Sequence, residues 1–170
     1  MERGVRLFTA VNFSAEVKEK LYGIISQMKP LVRKANFTAR ENLHLTLVFI
    51  GEARSYADIA ERLSAVRFAP FTVEFGGSGN FKDLYWAGVK PTPELTGLHR
   101  AVGLALGAGT DAVYKPHITL AREVIPETKK IDIAVPAFTA DVKEFSLMRS
   151  DRINGTLKYS EVLKIPAAPR

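Results

Sequence analysis

The 170-residue chain contains no cysteine, so disulfide scaffolds, thiol nucleophiles and cysteine-based zinc sites are excluded. Long apolar runs are also missing. The longest weakly polar stretch, residues 101–110, is too short and too rich in glycine to span a bilayer. The first residues lack the charged-then-apolar order of a secretory signal. We therefore expect a cytoplasmic protein that makes no membrane contact.

Charge of both signs is present, with 24 basic and 18 acidic residues and a net charge of +6. A basic balance modestly favours an anionic partner. The hydrophobic fraction of 46% is typical of a soluble globular protein that folds without disulfides. Because no linker or low-complexity segment divides the chain, we expect one two-lobed domain over residues 1–170.

Apolar periodicity predicts helices at residues 15–28, 57–66 and 93–106. Strands are predicted at 6–13, 37–40, 42–50, 71–75, 84–89, 114–123, 138–148 and 158–165. Gly51 is expected to end the strand at 42–50, and the glycine-rich segment 76–80 to form a loop. Asn154-Gly155 is expected to close a hairpin. Interspersed helices and short turns indicate an α+β fold with mostly antiparallel sheets.

One tetrapeptide occurs twice, as His44-Leu45-Thr46-Leu47 and as His117-Ile118-Thr119-Leu120. The chain has only three histidines, and two of them lie in this pattern. Side chains alternate along a strand, so each histidine shares a face with its threonine while the aliphatic pair faces the core. Two such strands would place two imidazoles and two hydroxyls around one cleft.

That set of groups suits phosphoester chemistry, since histidine titrates near neutrality and can act as acid or base. Threonine hydroxyls can donate to phosphate oxygens. A single copy of the pattern would be read as an amphipathic strand with a polar face, but two copies in one register favour a site. A metal site is disfavoured because such sites need three or four ligands and no acidic residue lies in register nearby. We predict no metal and no cofactor.

At these residues the sequence resembles the two-histidine phosphoesterase superfamily, and more closely its bacterial and archaeal RNA 2′,3′-cyclic phosphodiesterases, long called 2′-5′ RNA ligases. Segments that carry the resemblance are RLFTAV at 6–11, LHLTLVFIG at 43–51, GNF at 79–81, YWAGV at 85–89 and KPHITLAR at 115–122. Ser150, Gly155, Tyr159 and Leu163 are similar to the family's closing hairpin. Paired motifs in this order are specific.

The resemblance implies a bilobal α+β fold whose pseudo-symmetric lobes each contribute an antiparallel sheet to a central cleft, with helices outside. It implies metal-independent hydrolysis of an RNA terminal 2′,3′-cyclic phosphate to a 2′-phosphate. His44 would protonate the departing O3′ and His117 would activate water, although the pseudo-symmetry allows either order. Thr46 and Thr119 would hold the phosphate with Arg122. Strand parity puts Arg122 on the apolar face, so a bulge or a strand end would be needed to turn it.

Several further residues are candidates beside the motifs. Phe8, Tyr114 and Phe81 are candidate stacking surfaces for a terminal base. His99 is read as a surface or interface histidine. A basic rim is also considered, against the simpler reading of a solvated charged face; its members are Lys115, Arg149, Arg152 and Lys158.

Competing functions are reversible 2′-5′ RNA ligation, hydrolysis of a small cyclic nucleotide, and a non-catalytic RNA- or nucleotide-binding module. The expected partner is RNA with a 2′,3′-cyclic phosphate end. The expected oligomeric state is a monomer, because one chain supplies the proposed cleft.

Overall fold

The computed structural model describes residues 4–54, 56–108, 113–129 and 131–168. Its strands are β1 (Val5–Asn12), β2 (Val32–Phe37), β3 (His44–Ala53), β4 (Phe71–Phe81), β5 (Leu84–Val89), β6 (His117–Pro126), β7 (Phe138–Val142), β8 (Glu144–Ile153) and β9 (Thr156–Pro166). Its helices are α1 (Ala15–Met28), α2 (Ala57–Ser64) and α3 (Pro93–Ala105). Short 3₁₀ turns lie at Lys29–Leu31 and Arg40–Asn42.

Helix α1 forms where the periodicity predicts it. The Ser14 hydroxyl accepts a hydrogen bond from the Val17 amide and so caps the first turn. Its buried face consists of Leu21, Ile24, Ile25 and Met28. The Thr92 hydroxyl caps α3 in the same way.

The strands form two antiparallel sheets, which confirms the predicted α+β class. One sheet has four strands in the order β3-β1-β8-β9, and the other has five in the order β2-β6-β5-β4-β7. Each sheet therefore contains one motif strand. Although they belong to different sheets, β3 and β6 contact each other. This contact brings the two tetrapeptides to one place.

One main hydrophobic core joins both sheets. It contains Leu45 and Leu47 of β3 together with Ile118 and Leu120 of β6, all buried. Helix α3 contacts β3 and α1 contacts β6, so the aliphatic side of each motif strand lies toward a helix, as predicted. The single domain over residues 1–170 stays a prediction, and the shared core is consistent with it.

Other expectations from the sequence were wrong in detail. The segment 76–80 is part of β4 rather than a loop, with a bulge between Phe75 and Ser78. Gly51 does not end β3; it has a positive φ of 93° next to a bulge, and the strand continues to Ala53. The strand expected at 37–40 lies earlier, at Val32–Phe37. The single strand expected at 138–148 is two strands, β7 and β8, which belong to different sheets.

The Asn154-Gly155 hairpin is confirmed, since Ile153 and Thr156 pair across it. Within the described ranges, no helix has the length and apolar character that crossing a bilayer requires. Residues 109 and 110 of the run at 101–110 lie outside the described residues.

Candidate functional site

Both motif histidines are fixed by the same local hydrogen bond. The Nδ1 atom of His44 lies 2.7 Å from the carbonyl oxygen of Asn42, and that of His117 lies 2.7 Å from the carbonyl oxygen of Lys115. A carbonyl oxygen can only accept, so Nδ1 carries the proton in each ring. The neutral imidazoles therefore present Nε2, with its lone pair, as the reactive nitrogen.

His44 lies in an aromatic corner of the four-stranded sheet. Its ring centroid is 5.0 Å from that of Phe8 and 5.2 Å from that of Tyr159. Its Nε2 lies 2.9 Å from the Thr46 hydroxyl, which donates to it when the ring is neutral. Burial lowers the pKa of His44 below its usual 6.5, and the positive charges of Arg122, Lys18 and His117 lower it further. The hydrogen bond from Nδ1 to the backbone of Asn42 opposes these effects.

Asn42 holds this corner together through its own side chain. It is only 5% exposed, and its Nδ2 donates to the Leu157 carbonyl at 3.0 Å. Its Oδ1 accepts from the Tyr159 amide at 3.4 Å. One residue thus ties the backbone before β3 to β9 while its carbonyl orients His44. Sequence reasoning did not find this role, because the partners of Asn42 lie more than a hundred positions away.

His117 lies in a more open aromatic setting in the five-stranded sheet. The Phe81 ring meets it edge to face at 5.3 Å, and the Trp86 ring lies 6.2 Å away. The Nε2 atom of His117 and the hydroxyl of Thr119 form no hydrogen bond to other described residues. Both groups are therefore available to a ligand.

A cavity of about 840 Å³ opens beside His117. Its walls include Phe81, Trp86, Phe138 and Tyr114. The Trp86 indole lies over Gly79, where a Cβ would overlap it, and a Cβ at Gly88 would clash with the Gly76 carbonyl oxygen. The buried Trp86 Nε1 has no hydrogen-bond partner among the described residues. The volume and the aromatic walls are those of a small-molecule pocket.

A β-bulge turns Arg122 toward the cleft. Tyr85 pairs with Ala121 and Trp86 pairs with Thr119, so Leu120 is an extra residue in β6. Leu120 and Ala121 are both buried, and the side chain that follows, Arg122, is exposed. The effect of its charge on the pKa of His44 places the guanidinium near the opposite sheet.

The first motif strand contains the matching bulge. Thr9 pairs with Val48 and Ala10 with Thr46, so Leu47 is the extra residue there. Phe49 then pairs with Phe8 and is 61% exposed. Phe49 thus holds in the first motif strand the position that Arg122 holds in the second.

Comparison with known proteins agrees with this geometry. The model of the 2′-5′ RNA ligase superfamily matches residues 17–154, which include both motifs. The chain belongs to this superfamily. The RNA 2′,3′-cyclic phosphodiesterase of Archaeoglobus fulgidus is 38% identical over 128 residues, which cover 69% of this chain and 72% of that protein. That of Thermotoga maritima is 32% identical over 162 residues and covers 86% of this chain and 87% of that protein.

Solved structures extend the similarity to the whole fold. The crystal structure of Escherichia coli LigT in its apo form has a TM-score of 0.83 and 27% sequence identity, with 98% of this chain and 99% of that chain covered. The LigT complex with 3′-AMP has a TM-score of 0.83 and 25% identity, with 96% and 98% covered.

In this member of the superfamily the candidate stacking residues have different surroundings. Phe8 is only 5% exposed and packs against His44 and Tyr159. Tyr114 donates its hydroxyl to the Thr46 carbonyl at 2.7 Å, and burial raises its pKa. One face of its ring stacks on His99 at 4.0 Å. Of these three, only Phe81, which is 41% exposed, has an exposed ring beside a motif histidine.

Of the two positions considered for His99, surface or interface, the structure shows the interface, where the residue is half-buried. Its Nδ1 lies 2.8 Å from the Leu47 carbonyl, so His99 and Tyr114 hold consecutive carbonyls of the first motif strand. Both are structural contacts of that strand. No local sequence pattern indicates these two contacts, since they depend on how α3 packs against β3.

Two of the basic residues expected at the rim, Arg149 and Arg152, lie on opposite faces of β8. Alternation along β8 places Arg152 on the face of Met148, which packs with Phe8, and places Arg149 on the other face. Arg149 is bound to Asp151 at 2.8 Å. Among the described residues, no three His, Cys, Asp or Glu side chains come together as a metal site would require.

Proposed function

We propose that this chain hydrolyses the 2′,3′-cyclic phosphate at an RNA end to a 2′-phosphate, without a metal ion. The observation that supports this most directly is the pair of imidazoles on contacting strands, each with Nδ1 bound to a backbone carbonyl so that Nε2 is left as the reactive nitrogen. The relatives named above are RNA 2′,3′-cyclic phosphodiesterases.

The phosphate would lie between the two histidines. Thr46 and Thr119 follow the histidines on the same face of their strands, so their hydroxyls can donate to non-bridging oxygens. Arg122 would supply a charged donor whose planar fork matches two phosphate oxygens. With the His44 ring protonated at Nε2, the Thr46 hydroxyl is freed from donating to it and can turn to the substrate.

Two proton transfers complete the reaction. One imidazole takes a proton from water as the water oxygen forms its bond to phosphorus. The other gives a proton to O3′ as the bond from phosphorus to O3′ breaks, leaving a 2′-phosphate and a 3′-hydroxyl. Each transfer by a positioned histidine is worth about 10²–10⁴-fold in rate.

We assign the acid to His44 and the base to His117, the order that the resemblance implies. In the free protein the lowered pKa of His44 favours its neutral form. A bound phosphodiester adds a negative charge beside the ring, and a nearby opposite charge favours the charged form of a histidine. Substrate binding would therefore load the acid with its proton.

The cavity beside His117 would receive the terminal base. Aromatic walls stack on any base without reading its sequence. Phe81 and Trp86 provide such faces within 5.3 and 6.2 Å of the His117 ring centroid. Phe8 and Tyr114 would contribute less, since Phe8 is buried and one face of Tyr114 is covered.

A direct test uses a short RNA that ends in a 2′,3′-cyclic phosphate, incubated in EDTA without ATP. We expect conversion to a 2′-phosphate by the wild-type protein and losses of at least about 10²-fold in kcat for His44→Ala and for His117→Ala. Arg149→Ala is the control, because Arg149 lies on the face of β8 opposite to Met148 and is already paired with Asp151.

Binding measurements separate an enzyme from a binding module. An enzyme should lose rate much more than affinity when either motif histidine is replaced. If folded wild-type protein binds the RNA and leaves its end unchanged, the proposed hydrolysis is wrong. Incubation with an added 5′-hydroxyl RNA would show ligation as a longer product.

A further inference from the structure

Two arginines extend the surface on which His44 lies. Arg6 of β1 pairs with Ser150 of β8, and Ser150 pairs with Tyr159 of β9. Cross-strand partners share a face of the sheet, and Arg6 is two residues from Phe8, roughly 7 Å along the same face. Arg152 follows Ser150 by two positions on that face. Arg6, Ser150 and Arg152 therefore lie on the same face as the aromatic corner around His44 and directly beside it.

Within the described part of the chain, neither arginine is paired with an acidic side chain. The Arg6 guanidinium lies over the exposed Phe49 ring, 5.8 Å from its centroid. Arg152 makes one long hydrogen bond of 3.5 Å to the Gly155 carbonyl in its own turn. Among the described residues, neither forms an ion pair with a carboxylate, although Glu52 is the cross-strand neighbour of Arg6.

The charges of these two arginines and of Arg122 act on one side chain of the aromatic corner, Tyr159. Burial raises the pKa of Tyr159, and the charges of Arg122, Arg152 and Arg6 oppose that rise. Arg122 comes from the five-stranded sheet and the other two from the four-stranded sheet. The Ser150 hydroxyl between Arg6 and Tyr159 makes no hydrogen bond to a described residue, so it adds an available donor.

We propose that Arg6 and Arg152 bind the phosphodiester that joins the terminal nucleotide of the RNA to the rest of the chain. Unpaired guanidinium groups at the exposed end of a cleft suit phosphate oxygens, which they can bind in pairs. This inference rests on the proposed function, because the cyclic phosphate between His44 and His117 fixes where the terminal nucleotide lies. It makes RNA ends, rather than cyclic mononucleotides, the preferred substrates.

The test compares two substrates that differ by one phosphodiester. Adenosine 2′,3′-cyclic phosphate has no phosphate at the proposed subsite, whereas the dinucleotide ApA with a 2′,3′-cyclic phosphate end has one. In R6A/R152A the ratio of kcat/KM for the dinucleotide to that for the mononucleotide should fall by roughly tenfold, because exposed charged contacts are each worth only a few-fold. Arg149→Ala is the matched control. It removes an arginine that lies in β8, as Arg152 does, but is already paired with Asp151. It should leave the ratio unchanged.

A second readout does not depend on turnover. Binding of the product-like dinucleotide ApA 2′-phosphate should weaken in R6A/R152A, and its salt dependence should become shallower. Inactive protein that still shows this difference would refute the proposed hydrolysis while supporting the subsite. An unchanged ratio, whether both substrates lose equally or neither loses, would refute the subsite while leaving the hydrolysis intact.

Discussion

The hydroxyl of Tyr114 offers a sharp test of how the two motif strands are held. It donates to the Thr46 carbonyl at 2.7 Å, and the ring stacks on His99 at 4.0 Å. Tyr114→Phe removes the hydroxyl and keeps the ring. If Tyr114 serves the site by stacking on a base, phenylalanine should replace it without loss. If it serves by holding Thr46, both stability and rate should fall.

The size of the effect follows from the contact. A buried hydrogen bond whose acceptor is left without its donor costs about 1–3 kcal/mol, and the Thr46 backbone is only half-buried, so we expect about 1–2 kcal/mol. For a chain of this length that lowers Tm by roughly 2–8 °C. Thr46 contacts Nε2 of His44 at 2.9 Å, so a displaced strand should also lower kcat, on the order of tenfold.

Urea denaturation and turnover of adenosine 2′,3′-cyclic phosphate would measure the two effects. Tyr85→Phe is the matched control, since Tyr85 is half-buried and its hydroxyl forms no hydrogen bond to a described residue. The control should change the free energy of unfolding by less than about 0.5 kcal/mol. Equal behaviour of the two variants in both assays would refute the positioning role of Tyr114.

Four further outcomes are expected. Gly79→Ala should destabilise the protein by about 1–3 kcal/mol, because its Cβ would overlap the Trp86 indole. Gly97→Ala in α3, where a Cβ meets nothing within 4 Å, should stabilise the protein by roughly 0.5–1 kcal/mol. In urea denaturation, stabilisation by Gly79→Ala or destabilisation by Gly97→Ala would contradict the respective prediction. Asn42→Ala should cost about 2–3 kcal/mol in a thermal melt, since two hydrogen bonds to β9 are lost; a change under 0.5 kcal/mol would show that they contribute little. Burial lowers the pKa of His44 from 6.5 in the free protein, so the fall of kcat/KM that follows deprotonation of this acid should begin below pH 6.5. In the profile of kcat, which reports the enzyme with substrate bound, the same fall should lie at higher pH. A fall of kcat/KM that begins above pH 6.5 would contradict the burial effect.

Local sequence patterns predicted what depends on local interactions. Helix α1 begins after its Ser14 cap and ends at Met28, as periodicity and capping require. The His-x-Thr alternation predicted correctly which side chains of β3 and β6 face the core. The glycines at 76–80 were misread because glycine usually marks turns. Here one of them, Gly79, gives room to an indole on the neighbouring strand, a contact that no local pattern shows.

Long-range partners explain the other gaps. Tyr114 and Thr46 are far apart in sequence, and so are Asn42 and Leu157, so their hydrogen bonds depend on the packed fold. Polar residues whose partners are backbone carbonyls leave no periodic signal. Asn42, which begins the predicted strand 42–50, could only have been flagged as a buried polar residue in need of partners.

Arg122 shows that the order of residues in a motif does not alone determine which way a side chain faces. The pairing of the motif strand with its neighbour is needed as well. Strict alternation places Arg122 on the core face, where an unpaired charge would be very costly. The extra residue Leu120 reverses the parity, and Leu47 does the same in the other motif strand. The last residue of each repeated tetrapeptide is therefore the bulge that turns the side chain at 122 or 49 away from the core. On one sheet that side chain is a cation, and on the other it is a ring that supports the cation of Arg6. Each sheet therefore has an arginine beside its bulge, although only one copy of the motif is followed by an arginine at that position.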